Sequence, residues 1–144
     1  MDLILWRHAE AEDARGNDDL GRALTERGRK QAERMAAWLG PRLPATTRII
    51  ASPALRCQQT VAALGRPVST VDAIGPGAAA KAVLDAAGWP DAGGTVLVVG
   101  HQPTLGETAA SSTAFAAAPG PIASTVDTGP VSYTHLTLPT TERV

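Results

Sequence analysis

An α/β fold with a central, mostly parallel sheet flanked by helices on both faces is predicted by two alternating rhythms in the chain. Short apolar runs, Leu3-Ile4-Leu5-Trp6 and Thr95-Val96-Leu97-Val98-Val99 the clearest, lack the polar alternation of a half-exposed strand and read as buried on both sides. Elsewhere apolar residues recur at helical spacing, as Ala32, Met35, Ala36 and Leu39 do at i, i+3, i+4 and i+7. Strands alternating with helices favour parallel pairing, because each crossover returns the chain to the same end of the sheet.

The first strand, Leu3 to Trp6, leaves the core at Arg7-His8. A helix follows Leu24-Thr25-Glu26, with Thr25 as N-cap and Glu26 placing negative charge in the first turn. Gly40-Pro41 stops it. Arg48-Ile49-Ile50-Ala51 is the second strand. Ser52-Pro53 then reads as an N-cap with proline at the first helical position. Cys57, Val61 and Leu64 give that helix a buried stripe, and Gly65 ends it. Val68 to Val71 is a short third strand, and Ala78 to Ala87 a helix with Val83, Leu84 and Ala87 inward. Thr95 to Val99 exits through Gly100-His101-Gln102-Pro103, and another helix begins near Pro103 or Thr104. Trp6 and Trp38 read as core, and Trp89, beside Pro90, as partly exposed.

At 144 residues the chain has the length of one ordinary domain, and 44% hydrophobic with 19% charged residues is a globular balance. Thirteen Lys and Arg against fourteen Asp and Glu leave a net charge of −1, which argues against coating nucleic acid or an anionic membrane. Any bound anion must then meet a local basic cluster. Cys57 is the only cysteine, which excludes an internal disulfide and a Cys-rich zinc site. No apolar run approaches the ~20 residues of a membrane span. The N-terminus meets a charge at Arg7, too soon for a signal peptide. These features point to the cytoplasm.

In parallel sheets the ligand sits beyond the carboxyl ends of the strands. Arg7-His8, the stretch from Ser52 to Arg56, and His101 all occupy such exits. The planar arginine fork matches phosphate oxygens and keeps its charge at neutral pH. Arg56 also falls in the first turn of its helix, where free backbone N–H groups favour an anion. A histidine in such a pocket can attack phosphorus and hold it as phosphohistidine. A second can donate to an equatorial oxygen. There is no Gly-x-x-x-x-Gly-Lys loop, so an ordinary nucleotide P-loop is excluded. Flanking arginines disfavour zinc on His8 and His101, so neither a metal nor a cofactor is expected.

These residues resemble a family. Leu5-Trp6-Arg7-His8-Ala9-Glu10 is similar to the RHG signature of the histidine phosphatase superfamily, the phosphoglycerate mutase-like fold. The likeness continues through Leu24-Thr25-Glu26-Arg27-Gly28-Arg29-Lys30-Gln31-Ala32, Ser52-Pro53-Ala54-Leu55-Arg56-Cys57-Gln58-Gln59-Thr60 and Val98-Val99-Gly100-His101-Gln102-Pro103. Short length and the RHA variant make the chain most similar to the SixA-like phosphohistidine phosphatases. The resemblance implies His8 as nucleophile, with Arg7, Arg56 and His101 completing a phosphate pocket and Arg22 as a further ligand. It implies a phosphorylated protein, or a small phosphoester, as substrate. Ala9 stands where the family has glycine, which puts a positive φ there in question. The general acid is hard to place. Asp72 lies in the right region but matches poorly, and a labile P–N bond needs only weak acid help. Asp19 and Glu10 read as solvated charges, and Cys57 as packing.

The likeness covers residues 1–110 as one histidine phosphatase-like domain. Residues 111–130 match poorly and read as a loop-rich continuation. The segment VSYTHLTLPTT, from Val131 to Thr141, resembles one reading frame of a transposon-end sequencing adapter. Residues 131–144 are therefore expected to be a non-native tail on a chain cut short upstream. The alternative is a C-terminal strand, which Tyr, Thr and Leu suit. Three functions follow from these features. They are a metal-independent phosphohistidine phosphatase working through phospho-His8, a small-molecule phosphomonoesterase of the same superfamily, and a truncated, non-catalytic phosphate-binding protein.

Overall fold

The computed structural model describes residues 1–14, 16, 18–115, 122–128 and 131–137, with side chains described as far as residue 111. Four strands pair in parallel: β1 (Asp2–Arg7), β2 (Arg48–Ala51), β3 (Ser69–Thr70) and β4 (Thr95–Gly100), in spatial order β3-β2-β4-β1. On the far side of β1 the sheet turns antiparallel, with β6 (Val131–Thr137) on β1 and β5 (Ile122–Thr128) on β6. Helices α1 (Glu26–Leu39) and α2 (Leu55–Ala62) cover one face, and α3 (Ala80–Ala87) and α4 (Thr104–Phe115) the other.

Two helical layers explain the apolar strands. Ile4, Trp6, Ile49, Ala51, Leu97 and Val99 pack with Ala32, Met35 and Leu39 of α1 and Cys57 and Val61 of α2. Their strand neighbours Leu3, Leu5, Ile50, Val96 and Val98 point the opposite way, to Val83, Leu84 and Ala87 of α3 and Leu105 of α4. Burying one such Leu or Val side chain contributes about 1.5–3 kcal/mol. Trp6 is fully buried. Trp38 is only half-buried and lies under the Arg42 guanidinium, 4.3 Å from its ring centroid. Trp89 is half-buried against the second cluster.

Several boundaries differ from the sequence reading. Helix α2 begins at Leu55 rather than at Ser52-Pro53, with extended Ala54 as N-cap. The Ser52 hydroxyl accepts the Ala54 N–H at 3.2 Å but does not cap the helix. Strand β3 shrinks to Ser69–Thr70, because Val71 enters the 3-10 turn Asp72–Ile74. Helix α4 runs on through Phe115 and β5 follows, so residues 111–115 and 122–128 are regular elements and not loop. The loop expected at 116–121 lies outside the described residues. In the adapter-like segment, Val131–Thr137 pairs with β1, as the strand alternative requires; residues 138–144 lie outside the described residues. The side of β1 away from β4 presents backbone groups that any strand-prone segment can take up, and β6 takes them here.

The loop after β1 is docked by α1. Thr25 caps the helix as expected, its hydroxyl accepting the Gly28 N–H at 2.9 Å. The same hydroxyl donates to the Glu10 carboxylate at 2.9 Å. Gly28 allows the close approach, since a Cβ there would sit 2.0 Å from the Glu10 carbonyl oxygen. Gly28→Ala is therefore expected to destabilise the fold by about 2 kcal/mol or more, although alanine is the better helix former. Urea unfolding midpoints check this, with Arg27→Ala as the neutral control.

Candidate active site

Three strand exits are tied into one rim by the backbone. The His8 N–H donates to the Gly100 carbonyl at 3.1 Å, and the Ser52 N–H to the Val99 carbonyl at 3.0 Å. Parallel register thus forces the ends of β1, β2 and β4 to one side, and their polar residues with them. The His8 and His101 ring centroids lie 5.3 Å apart, in an edge-to-face arrangement of 61°.

His8 is oriented by its own main chain: Nδ1 lies 2.7 Å from the Ala9 carbonyl oxygen. A carbonyl only accepts, so Nδ1 carries the proton and Nε2 of the neutral ring keeps its lone pair. Ala9 is buried in the core, and its N–H donates to Thr60 Oγ1 at 3.0 Å. Its φ is not positive, so its Cβ costs nothing where the family has glycine. Thr60 Oγ1 in turn donates to the Arg56 carbonyl at 2.7 Å. Gln31 accepts the Glu10 N–H at 3.0 Å, and Gln59 the Leu24 N–H at 2.7 Å. These contacts brace the loop that follows β1.

His101 is nearly buried, between Ser52 and Arg56. Nε2 lies 2.7 Å from Ser52 Oγ, and Nδ1 lies 3.4 Å from an Arg56 terminal nitrogen. Arginine only donates, so Nδ1 accepts and Nε2–H donates to Ser52. Burial lowers the His101 pKa to about 4, and repulsion from Arg56 and His8 adds to it. Burial also lowers the His8 pKa; the bond to the Ala9 carbonyl opposes this, while Arg56, Arg7 and Arg22 reinforce it. Both rings are therefore neutral at pH 7. Cys57 is buried beside them, 3.5 Å from His101 Nε2, with its pKa pushed up to about 12 by burial. It is a protonated packing group, as its place in the helix stripe suggests.

Arg56, Arg7 and Arg22 each act electrostatically on His8, lowering its pKa. The Arg56 side chain is only 5% exposed, and its Nε has no partner; Arg7 Nε is likewise buried and unpaired. Asp72, by contrast, is exposed in its 3-10 turn and bonds to none of these side chains. Sequence reasoning missed Asp19. Its carboxylate pairs with Arg22 at 3.2 Å and with Arg56 at 3.2 Å, and its carbonyl accepts from Arg56 at 2.8 Å. The bond to Arg22 is the main cause that lowers its pKa. The Asp19-x-x-Arg22 spacing was the available signal. Ser52, read as a cap, is the positioning partner of His101. Among the described residues, no group of three or more His, Cys, Asp or Glu could hold a metal ion, and no helix is long and apolar enough to cross a membrane.

Residues 3–74 match the histidine phosphatase superfamily (branch 1). An uncharacterized protein of Mycobacterium tuberculosis is 33% identical over 100 residues, covering 68% of this chain and 63% of the relative. A protein assigned as the phosphohistidine phosphatase SixA of Nakamurella multipartitia is 39% identical with a TM-score of 0.62, over 72% of this chain and 60% of that one. The corresponding protein of Agrobacterium tumefaciens is 30% identical with a TM-score of 0.68, over 77% and 75%. The protein histidine phosphatase SixA complexed with tungstate is 24% identical with a TM-score of 0.70 over 95% and 97%, a likeness of fold. The chain thus spans under two thirds of the mycobacterial and Nakamurella proteins' length.

The histidine geometry sets a pH dependence. The folded His101 pKa of about 4 lies below the unfolded value of 6.5, so the unfolded chain takes up a proton first as pH falls. Stability present above pH 6.5 is expected to be lost between there and pH 4, by about 3 kcal/mol from this group. Urea unfolding across that range should show a flatter dependence in His101→Gln than in wild type.

Proposed function

Because the chain belongs to the SixA-like branch of the histidine phosphatase superfamily, we propose that it is a metal-independent phosphatase hydrolysing phosphohistidine through a covalent intermediate on His8. The observation that carries the reading is the pairing of an oriented, neutral His8 with the buried Arg56 and His101. The Nε2 lone pair attacks phosphorus in line, and a His8–phosphorus bond forms as the substrate's P–N bond breaks. The leaving imidazole takes its proton from solvent, with exposed Asp72 as a candidate donor. Water then attacks phosphorus in line; the new oxygen–phosphorus bond forms as the His8–phosphorus bond breaks, its electron pair returns to Nε2, and the water's protons leave with inorganic phosphate and solvent.

Arg7, Arg22 and Arg56 neutralise the phosphoryl oxygens by charge-assisted hydrogen bonds. Ser52 tunes His101. Its hydroxyl already accepts the Ala54 N–H, so its own proton is free for His101 Nε2 once an oxygen replaces Arg56 at Nδ1. Nδ1–H then donates to the transferring group.

A protein substrate, rather than a small phosphoester, is favoured by the rim. Leu20 is 52% exposed and Leu55 is 38% exposed, and each adjoins a charged residue of the pocket, Asp19 or Arg56. The Leu55 N–H donates to the Leu20 carbonyl at 2.9 Å, which holds the two side by side. An apolar rim suits a surface surrounding a phosphorylated residue. The same reading places the chain in the cytoplasm, on phosphorylated signalling proteins.

His8→Ala is expected to abolish turnover of a phosphohistidine protein while leaving phosphate binding measurable, because the arginines remain. Acid-quenched, mapped phosphoenzyme should carry the label on His8; label on His101 would reverse the roles. Faster turnover of sugar phosphates than of phosphohistidine would favour the small-molecule reading. Inactive wild-type protein that still bound phosphate would favour the non-catalytic one. EDTA is expected to leave the rate unchanged, and loss of activity restored by zinc would refute metal independence.

A further inference from the structure

Asp19 stands where an anionic ligand would. Two of its oxygens, one main-chain and one carboxylate, take both terminal nitrogens of Arg56, at 2.8 and 3.2 Å. Its second carboxylate oxygen takes a terminal nitrogen of Arg22 at 3.2 Å. A phosphoryl group on these forks would need the same N–H donors. Two anions at one pair of guanidinium groups repel each other, so carboxylate and phosphoryl group do not share the site fully.

The partners differ in their freedom to move. The Arg56 side chain is 5% exposed and fixed, whereas the Asp19 side chain is 47% exposed and returns to water cheaply. Its backbone is pinned by the carbonyl bond to Arg56 and by the neighbouring Leu20 carbonyl on the Leu55 N–H. Turning one side chain about its own torsions is enough to free one terminal nitrogen of each fork, Nη2 of Arg56 and Nη1 of Arg22, while the main-chain carbonyl keeps Nη1 of Arg56. A buried guanidinium with no counter-charge is costly, so the empty pocket gains from the carboxylate it gives up when filled.

We propose that Asp19 is a further residue of the anion site, holding the Arg22 and Arg56 forks in the empty pocket and yielding them to a phosphoryl group. It thereby weakens anion binding and speeds the loss of product phosphate. The proposal rests on the reading of these arginines as phosphate ligands, but not on turnover.

Calorimetric titration with inorganic phosphate at pH 8, where both pocket histidines are neutral, tests it. Asp19→Asn and Asp19→Ala are both expected to bind phosphate roughly five- to tenfold more tightly than wild type, the scale of a partly exposed charge pair. Without phosphate, both variants should melt below wild type, and saturating phosphate should narrow that gap. Unchanged or weaker binding in either variant would overturn the proposal and make Asp19 a residue that merely positions Arg56. Absence of phosphate binding by all three proteins would also overturn it. Binding is read without catalysis, so tightening in a protein that does not cleave phosphohistidine would leave the proposal standing and remove only the assigned reaction.

Discussion

Parallel pairing of β1 with β4, and of β4 with β2, is the constraint on which the rest of the molecule depends. Parallel strands end on the same side, so a residue placed just past each strand end meets the others without any loop reaching across. The backbone bonds His8 to Gly100 and Ser52 to Val99 continue the sheet one step beyond its edge. The pocket is therefore an extension of the ladder, built to the tolerance of the sheet. Helices on both faces keep that ladder dry, and the apolar content of β1, β2 and β4 is what lets them do so.

Much of this was legible because it is written in local patterns. Thr25 as cap, the helical stripe through Met35 and Leu39, and the exits at His8 and His101 each follow from a few adjacent residues. The strand exits put Arg7 and Arg56 on one rim, the family likeness added Arg22, and all three repel a proton on His8. What escaped was set by long-range contacts. Ser52 resembles an N-cap in its own neighbourhood, but its hydroxyl is taken up by His101, 49 residues away. Asp19 looks like a surface charge until α2 brings Arg56 against it, 37 residues on. Helix α4 begins where its sequence predicts, but its reach to Phe115 lacks a strong apolar period, and packing against α3 and β1 supplies what the pattern does not.

Close approach, rather than unusual backbone, explains two small residues near His8. Ala9 fills the core below His8 with ordinary φ, so glycine is not required there. Gly28 has no room for even a methyl group against Glu10. The loop that carries His8 is thus clamped between α1, through Gly28 and Gln31, and α2, through Thr60.

Under the proposed reaction, Cys57 shows what a nitrogen nucleophile gives the site in exchange for sulfur. The thiol beside His101 is buried and held protonated by a pKa of about 12. Peroxide and alkylating reagents react with thiolates that solvent can reach, and this one is neither ionised nor reachable. Imidazole has no place on the sulfenic–sulfinic ladder. Under the proposed reaction, a pocket of this composition would keep its chemistry under oxidative conditions that silence phosphatases built around a reactive cysteine, even though a sulfur atom lies against His101.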